Sequence, residues 1–189
     1  MIEKKLGDKD RSALLTLARS AIGKALGKTQ AVKRPRTLSR DLAQNRGCFV
    51  TLRQQGRLRG CVGTIEPMDP LARGVEENAL NAAFKDYRFK KLSPGEWDDV
   101  SIEISALTLP RNLAFTDWRD LLSQIEPGVH GVILSRGGGR ATFLPQVWEE
   151  IAEKEPFLDA LCQKAGLGPS CWKDPEIQVQ VYEAEHFSE

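Results

Sequence analysis

The chain has 189 residues, 41% of them hydrophobic and 28% charged, with a net charge of +1. That is the composition of a soluble globular protein with enough length for one sizeable core or two small lobes. The sequence shows no internal repeat, no low-complexity segment and no apolar run of membrane-spanning length.

The charge is unevenly spread. Residues 1–46 carry twelve Lys or Arg against four acids, and the remainder carries fifteen against twenty-two. A basic head of this kind can meet nucleic acid or an acidic partner, but a solvated basic face is the commoner meaning, so nucleic acid is an unfavoured partner. "MIEKKLGDKD" has no apolar stretch of signal-peptide type, so a cytoplasmic location with reduced thiols is expected. The cysteines are Cys48, Cys61, Cys162 and Cys171, with no CxxC pair and only two histidines. A zinc site is disfavoured, and nothing in the sequence calls for a metal or organic cofactor. A Cys48–Cys61 disulfide requires the strands that carry them to pair.

In chain order, Leu14, Leu17, Ala18, Ala21, Ala25 and Leu26 recur at helical spacing over Asp10–Leu26. Asp8 or Asp10 is the expected cap and Gly27 the expected stop. Lys28–Arg36 reads as a basic connector. "TLSRDLAQN" reads as a short helix or turn, with Thr37 or Ser39 at its start. "GCFVTLRQ" and "RLRGCVGTI" form a hairpin about Gln55-Gly56, and Gly60 and Gly63 in the second strand signal a bulge or a close backbone approach. Pro70 opens a helix running to about Tyr87.

Val100, Ile102, Ile104 and Ala106 alternate onto one face of a strand that Pro110 ends, leaving Ser101, Glu103 and Ser105 on the other. "TDWRDLLSQI" is a short helix capped by Thr116. "HGVILSRGGGRATFLP" is two strands about Gly137–Gly139, and the glycine run lacks the ending of a phosphate loop. "PQVWEEIAEK" and "EPFLDALCQKAGL" read as short helices, and Ile177, Val179 and Val181 mark a last strand through "EIQVQVYEAEHF". This order lacks regular βαβ alternation. It predicts an α+β fold with a mainly antiparallel sheet packed against helices.

The ordered series "CFVTL", "LRGCVGTIEPM", "AAFKDYRF", "IEISALTLP", "GVHGVIL", "LPQVW" and "FLDALCQKAGL" resembles the AMMECR-one domain family, whose prokaryotic members are labelled AmmeMemoRadiSam system protein A. The resemblance runs from about Leu14 to Glu189. The family hallmark LRGCIG is matched by Leu58–Gly63 with Val62 in place of Ile. Asp86, Arg88 and Phe89 keep a second family pattern, but Lys90 and Lys91 replace its prolines. The resemblance implies a single domain of two unequal subdomains around a cleft bordered by the hallmark, the larger subdomain containing both termini. It also implies action beside a Memo-type protein and a radical S-adenosylmethionine protein. It names no reaction.

Cys61 is the candidate nucleophile or substrate-holding thiol. On a regular strand Arg57 and Arg59 share its face, with Leu58 and Val62 behind them. The alternative is a small buried cysteine. His130 in "GVHGV" is the candidate general base, against a turn histidine bonded to the backbone. Arg57, Arg59, Gly60, Gly63, Glu103, Asp86 and Arg88 are candidate contacts for a small anionic or peptide ligand. Glu103 can orient His130, pair with Arg59 or form an ordinary strand salt bridge, and Asp86 and Arg88 can line the cleft or lock the end of their helix. The same residues fit an enzyme or a non-catalytic protein- or peptide-binding module.

Overall fold

The computed structural model describes residues 5–28 and 38–189. Beyond Lys28, the expected basic connector (29–36) and the cap at Thr37 lie outside the described residues. The fold is α+β, as the order of elements predicts, with four helices and two four-stranded sheets among the described residues. It forms two units: residues 1–107 with 185–189, and residues 108–184.

The first unit's sheet runs in the order β2-β1-β3-β8, with β1 at Cys48–Gln54, β2 at Arg57–Thr64, β3 at Val100–Leu107 and β8 at Ala184–Ser188. Helices α1 (Asp8–Ala25) and α2 (Leu71–Phe84) pack together and cover one face of it. Val50 and Leu52 of β1 point to that side, as do Ile102, Ile104 and Ala106 of β3. They meet Leu14, Leu17 and Ile22 of α1 and Leu71, Val75 and Ala79 of α2, all fully buried. The alternation read in β3 is the alternation observed. Gly7, not an aspartate, occupies the cap position of α1, and Asp8 and Asp10 sit in its first turn. There they favour the helix through its dipole instead of through a cap bond. Helix α2 stops at Phe84, three residues early, because the Leu92 N–H takes the Ala83 carbonyl at 2.8 Å and the chain turns away.

The second unit's sheet has the order β4-β7-β5-β6: β4 at Arg111–Asn112, β5 at Gly131–Arg136, β6 at Gly139–Phe143 and β7 at Gln178–Tyr182. Helix α4 (Lys154–Lys164) and a 3-10 turn at Pro145–Glu149 supply Phe157, Leu161 and Trp148 to its core. "PQVWEEIAEK" therefore does not form the expected α-helix. Helix α3 (Trp118–Gln124) is capped by Asp117, whose carboxylate accepts from the N–H groups of Arg119 and Asp120. Thr116 stands one residue too early for that role. The expected last strand breaks at Glu183, so that β7 serves the second sheet and β8 the first.

Cys162 and Cys171 form a disulfide that ties α4 to the turn carrying Trp172. This corrects the expectation of four reduced thiols. The spacing gave no warning, because the pair stand nine positions apart, across a helix end and a loop. Cys48 and Cys61 are free. Their strands do pair, but in a register that sets Cys48 opposite Thr64 and Cys61 opposite Thr51. Among the described residues no helix is long and apolar enough to cross a membrane.

Candidate functional site: the polar face around Cys61

A β-bulge decides which side chains share the face of Cys61. From Thr64 to Gly60 the hairpin pairs regularly, Cys61 with Thr51 and Gly60 with Leu52. The register then slips, and Arg53 pairs with Leu58 and Gln54 with Arg57. Directly paired residues project to the same side of a sheet, and one extra residue reverses the alternation beyond it. The residue sharing the Cys61 face is therefore Leu58, which is exposed, and not Arg57. This corrects the expectation of two guanidiniums beside the thiol. Arg57 is exposed at the hairpin end. Arg59, in the bulge, gives its guanidinium to Glu96, Nε to Oε1 at 2.8 Å and Nη2 to Oε2 at 3.3 Å. That pairing, with the Ser93 hydroxyl and N–H, holds the Glu96 carboxyl at about 2.

The two glycines serve packing. A side chain at Gly60 would run into the Ala82 carbonyl of α2, and one at Gly63 into the Phe49 ring and the Cys48 carbonyl. Both of the readings that the glycines allowed, a bulge and a close backbone approach, occur in this strand.

Strand β2 is the outer strand of its sheet, so half of its backbone polar groups have no strand to bond. At Cys61 a side-chain pair fills the gap. The Cys61 N–H donates to Asp86 Oδ2 at 2.9 Å, and Arg88 Nη2 donates to the Cys61 carbonyl at 3.1 Å. Arg88 also grips Asp86, Nε to Oδ1 at 3.0 Å and Nη2 to Oδ2 at 2.8 Å. The Asp86 side chain is 3% exposed, and its bonds from Arg88 hold the carboxyl well below the ordinary range, against the effect of burial. Asp86 and Arg88 thus replace a neighbouring strand at one residue. Tyr87 between them is exposed.

Because the Cys61 backbone bonds outward, Cys61 and Thr51 are a pair without mutual backbone bonds, the kind in which side chains approach more closely. The Thr51 hydroxyl donates to the Cys61 sulfur at 3.2 Å. The same row continues to Glu103, opposite Thr51 on β3. Glu103 pairs with Arg53 of the neighbouring strand at 2.7 Å, the ordinary strand salt bridge among its readings, and not with Arg59 or His130. Next to it the Ser105 hydroxyl lies 3.1 Å from His186 Nδ1. Arg53, Glu103, His186, Phe187 and Ser188 line a cavity of about 280 Å³. The polar face therefore carries Cys61, Thr51, Arg53, Glu103, Ser105 and His186. Sequence reasoning did not make candidates of His186, Thr51 or Arg53. The alternation of β1 around buried Cys48, Val50 and Leu52 was the available signal.

The other free thiol has the opposite setting. Cys48 faces the core at 0% exposure, receives a hydrogen bond from Asn78 at 3.4 Å, and is pushed up to about 11 by burial. His130 belongs to the second unit. It is buried, and its Nδ1 accepts from the Glu126 N–H at 3.1 Å, the turn arrangement that was the alternative to a general base. Burial, helped by Arg111, lowers its pKa. Among the described residues no group of three or more His, Cys, Asp or Glu could hold a metal.

These features define a class: a two-unit α+β protein with a free thiol fixed on the polar face of an outer strand. The particular family is shown by comparison. The AMMECR1 family model matches residues 15–187, and the chain belongs to that family. A protein of Methanothermobacter thermautotrophicus is 42% identical over 177 residues, covering 93% of this chain and 92% of that one. Protein MK0488 of Methanopyrus kandleri is 39% identical over 184 residues, covering 93% and 86%. The crystal structure of uncharacterized protein PH0010 from Pyrococcus horikoshii is similar at a TM-score of 0.83 and 33% identity, covering 98% of this chain and 94% of that chain.

Proposed function

We propose that this protein binds a small anionic or peptide ligand on the polar face of its first sheet, with the Cys61 sulfur in contact with it. In this reading it works in the cytoplasm beside a Memo-type and a radical S-adenosylmethionine protein, as the family resemblance implies. One observation carries the reading. Asp86 and Arg88 hold the backbone of Cys61 from both sides, and so aim its sulfur at Thr51 and away from the core. A buried packing cysteine needs no such pair: Cys48 in the same hairpin is fully buried, and among the described side chains only Asn78 reaches it, donating to its carbonyl at 3.2 Å and to its sulfur at 3.4 Å. Arg53 and Glu103 offer both signs of charge to a ligand next to the thiol. A cytoplasmic setting must also leave the Cys162–Cys171 disulfide intact, which the burial of both sulfur-bearing residues favours.

The alternative is a non-catalytic docking module anchored by Arg59. The bidentate hold of Glu96 on Arg59 weighs against it, because the anchor is already occupied. Brief alkylation of the native protein with iodoacetamide, followed by mass spectrometry of its peptides, tests the reading. Preferential labelling of Cys61, with Cys48 unlabelled until denaturation, is the expected result. Equal, slow labelling of both would overturn it. Native mass spectrometry with co-purified partners would then look for an adduct at Cys61.

A further inference from the structure

The imidazole of His130 meets a donor at each nitrogen. The Glu126 N–H donates to Nδ1 at 3.1 Å, and Arg111 Nη2 lies 3.4 Å from Nε2. A backbone amide and a guanidinium can only donate, whereas a neutral imidazole has one lone pair and one ring proton. The Glu126 contact is fixed from several sides. The His130 N–H bonds the Glu126 carbonyl at 3.0 Å, and Trp148 Nε1 donates to the His130 carbonyl at 2.7 Å. The lone pair therefore sits on Nδ1 and the proton on Nε2. The Nε2–H and the Arg111 guanidinium then face each other as two donors, and their contact supplies no acceptor.

Protonating the ring does not relieve this. Nδ1 would then turn a proton toward the amide, and a second cation would stand beside Arg111. With His130 only 5% exposed, bulk water does not simply make good the deficit. An outside acceptor that reaches both donors does. We propose that Arg111 and His130 form a binding site for the carboxylate group of a ligand, which accepts from Arg111 Nη2 and from the Nε2–H of His130. A carboxylate fits better than a phosphate because the setting is not strongly positive. Arg111 supplies one positive charge, while Glu126 and Glu183 also act on the ring, so a monoanion is less repelled than a dianion. Access is available: Arg111 is exposed and lies on β4, the outer strand of the second sheet. The inference is independent of the Cys61 reading, because every residue it uses lies in the second unit.

Long-range proton–nitrogen NMR of the full chain tests it. The expected tautomer has the proton on Nε2. Titration with acetate should move that resonance to saturation, and Arg111→Gln should weaken acetate binding by about tenfold, the loss of a charge-assisted hydrogen bond. A proton on Nδ1, an unmoved resonance or an equal response in Arg111→Gln would overturn the proposal. Tighter binding of inorganic phosphate than of acetate would overturn the carboxylate class. An acetate response seen only in Glu183→Gln would mean that the chain fills the site with its own carboxylate, and would also overturn it.

Discussion

Replacing Asp86 by Asn tests whether the Asp86–Arg88 pair substitutes for a missing strand. The substitution keeps the size of the side chain and one carbonyl oxygen. Whichever way the amide turns, its NH₂ meets donors that the carboxylate now accepts from: the Cys61 N–H at 2.9 Å and Arg88 Nη2 at 2.8 Å on one oxygen, or Arg88 Nε at 3.0 Å on the other. Hydrogen bonds to a charged group contribute about 1.5–3 kcal/mol each, and a buried amide left without an acceptor costs about 1–3. Arg88 is 47% exposed and can turn to water, which discounts its share. The expected loss is about 3 kcal/mol; Arg88→Ala keeps the Cys61 amide bonded but leaves the buried Asp86 carboxylate without its cation, so it should cost about as much. Urea unfolding at neutral pH, followed by circular dichroism, measures both. The pH dependence adds a signature. The Asp86 pKa is lowered in the folded protein, so its contribution is present above the unfolded value of about 3.9 and is lost as the pH falls toward the folded value. The gap between wild type and Asp86→Asn should therefore narrow below about pH 4. A loss under about 0.5 kcal/mol for either variant would refute the account.

Three other outcomes are expected. Gly60→Ala and Gly63→Ala should each destabilise by about 1–3 kcal/mol in thermal unfolding, because backbone at Ala82 and Cys48 must yield. Replacing Cys162 and Cys171 together by Ala should cost about 2–4 kcal/mol, and dithiothreitol should lower the melting temperature of the wild type but not of that variant. Near pH 8, Ellman's reagent should titrate Cys61 in the native protein and reach Cys48 only on unfolding, since that thiol is buried and pushed up to about 11.

The first hairpin and β3 were legible in the sequence because one face of each is fully buried and the other polar, which writes a period of two into the residues. The bulge was announced by Gly60, but its position was not. One extra residue was enough to move Leu58 onto the thiol's face and Arg57 off it. The partners of Asp86 and Arg88 were out of reach for a different reason. Asp86 meets a backbone amide 25 residues away, and amides carry no side-chain identity for a pattern to find. His130 was noticed for its glycine neighbours, whereas Arg111 emerges only once β4 sits near it. The break at Glu183 was hidden because the residues on both sides of it alternate as one continuous strand would.

That break makes the final residues the closing piece of the first unit. Glu185 accepts from the Leu6 N–H and pairs with Arg11 and Arg46, while Glu189 pairs with Arg19 and accepts from the Ile102 N–H at 3.1 Å. The second unit is one unbroken stretch, but the first is complete only with the last five residues. During synthesis the N-terminal portion emerges first and is finished last. Helix α1 must hold its arginines ready until the carboxylates that pair with them leave the ribosome.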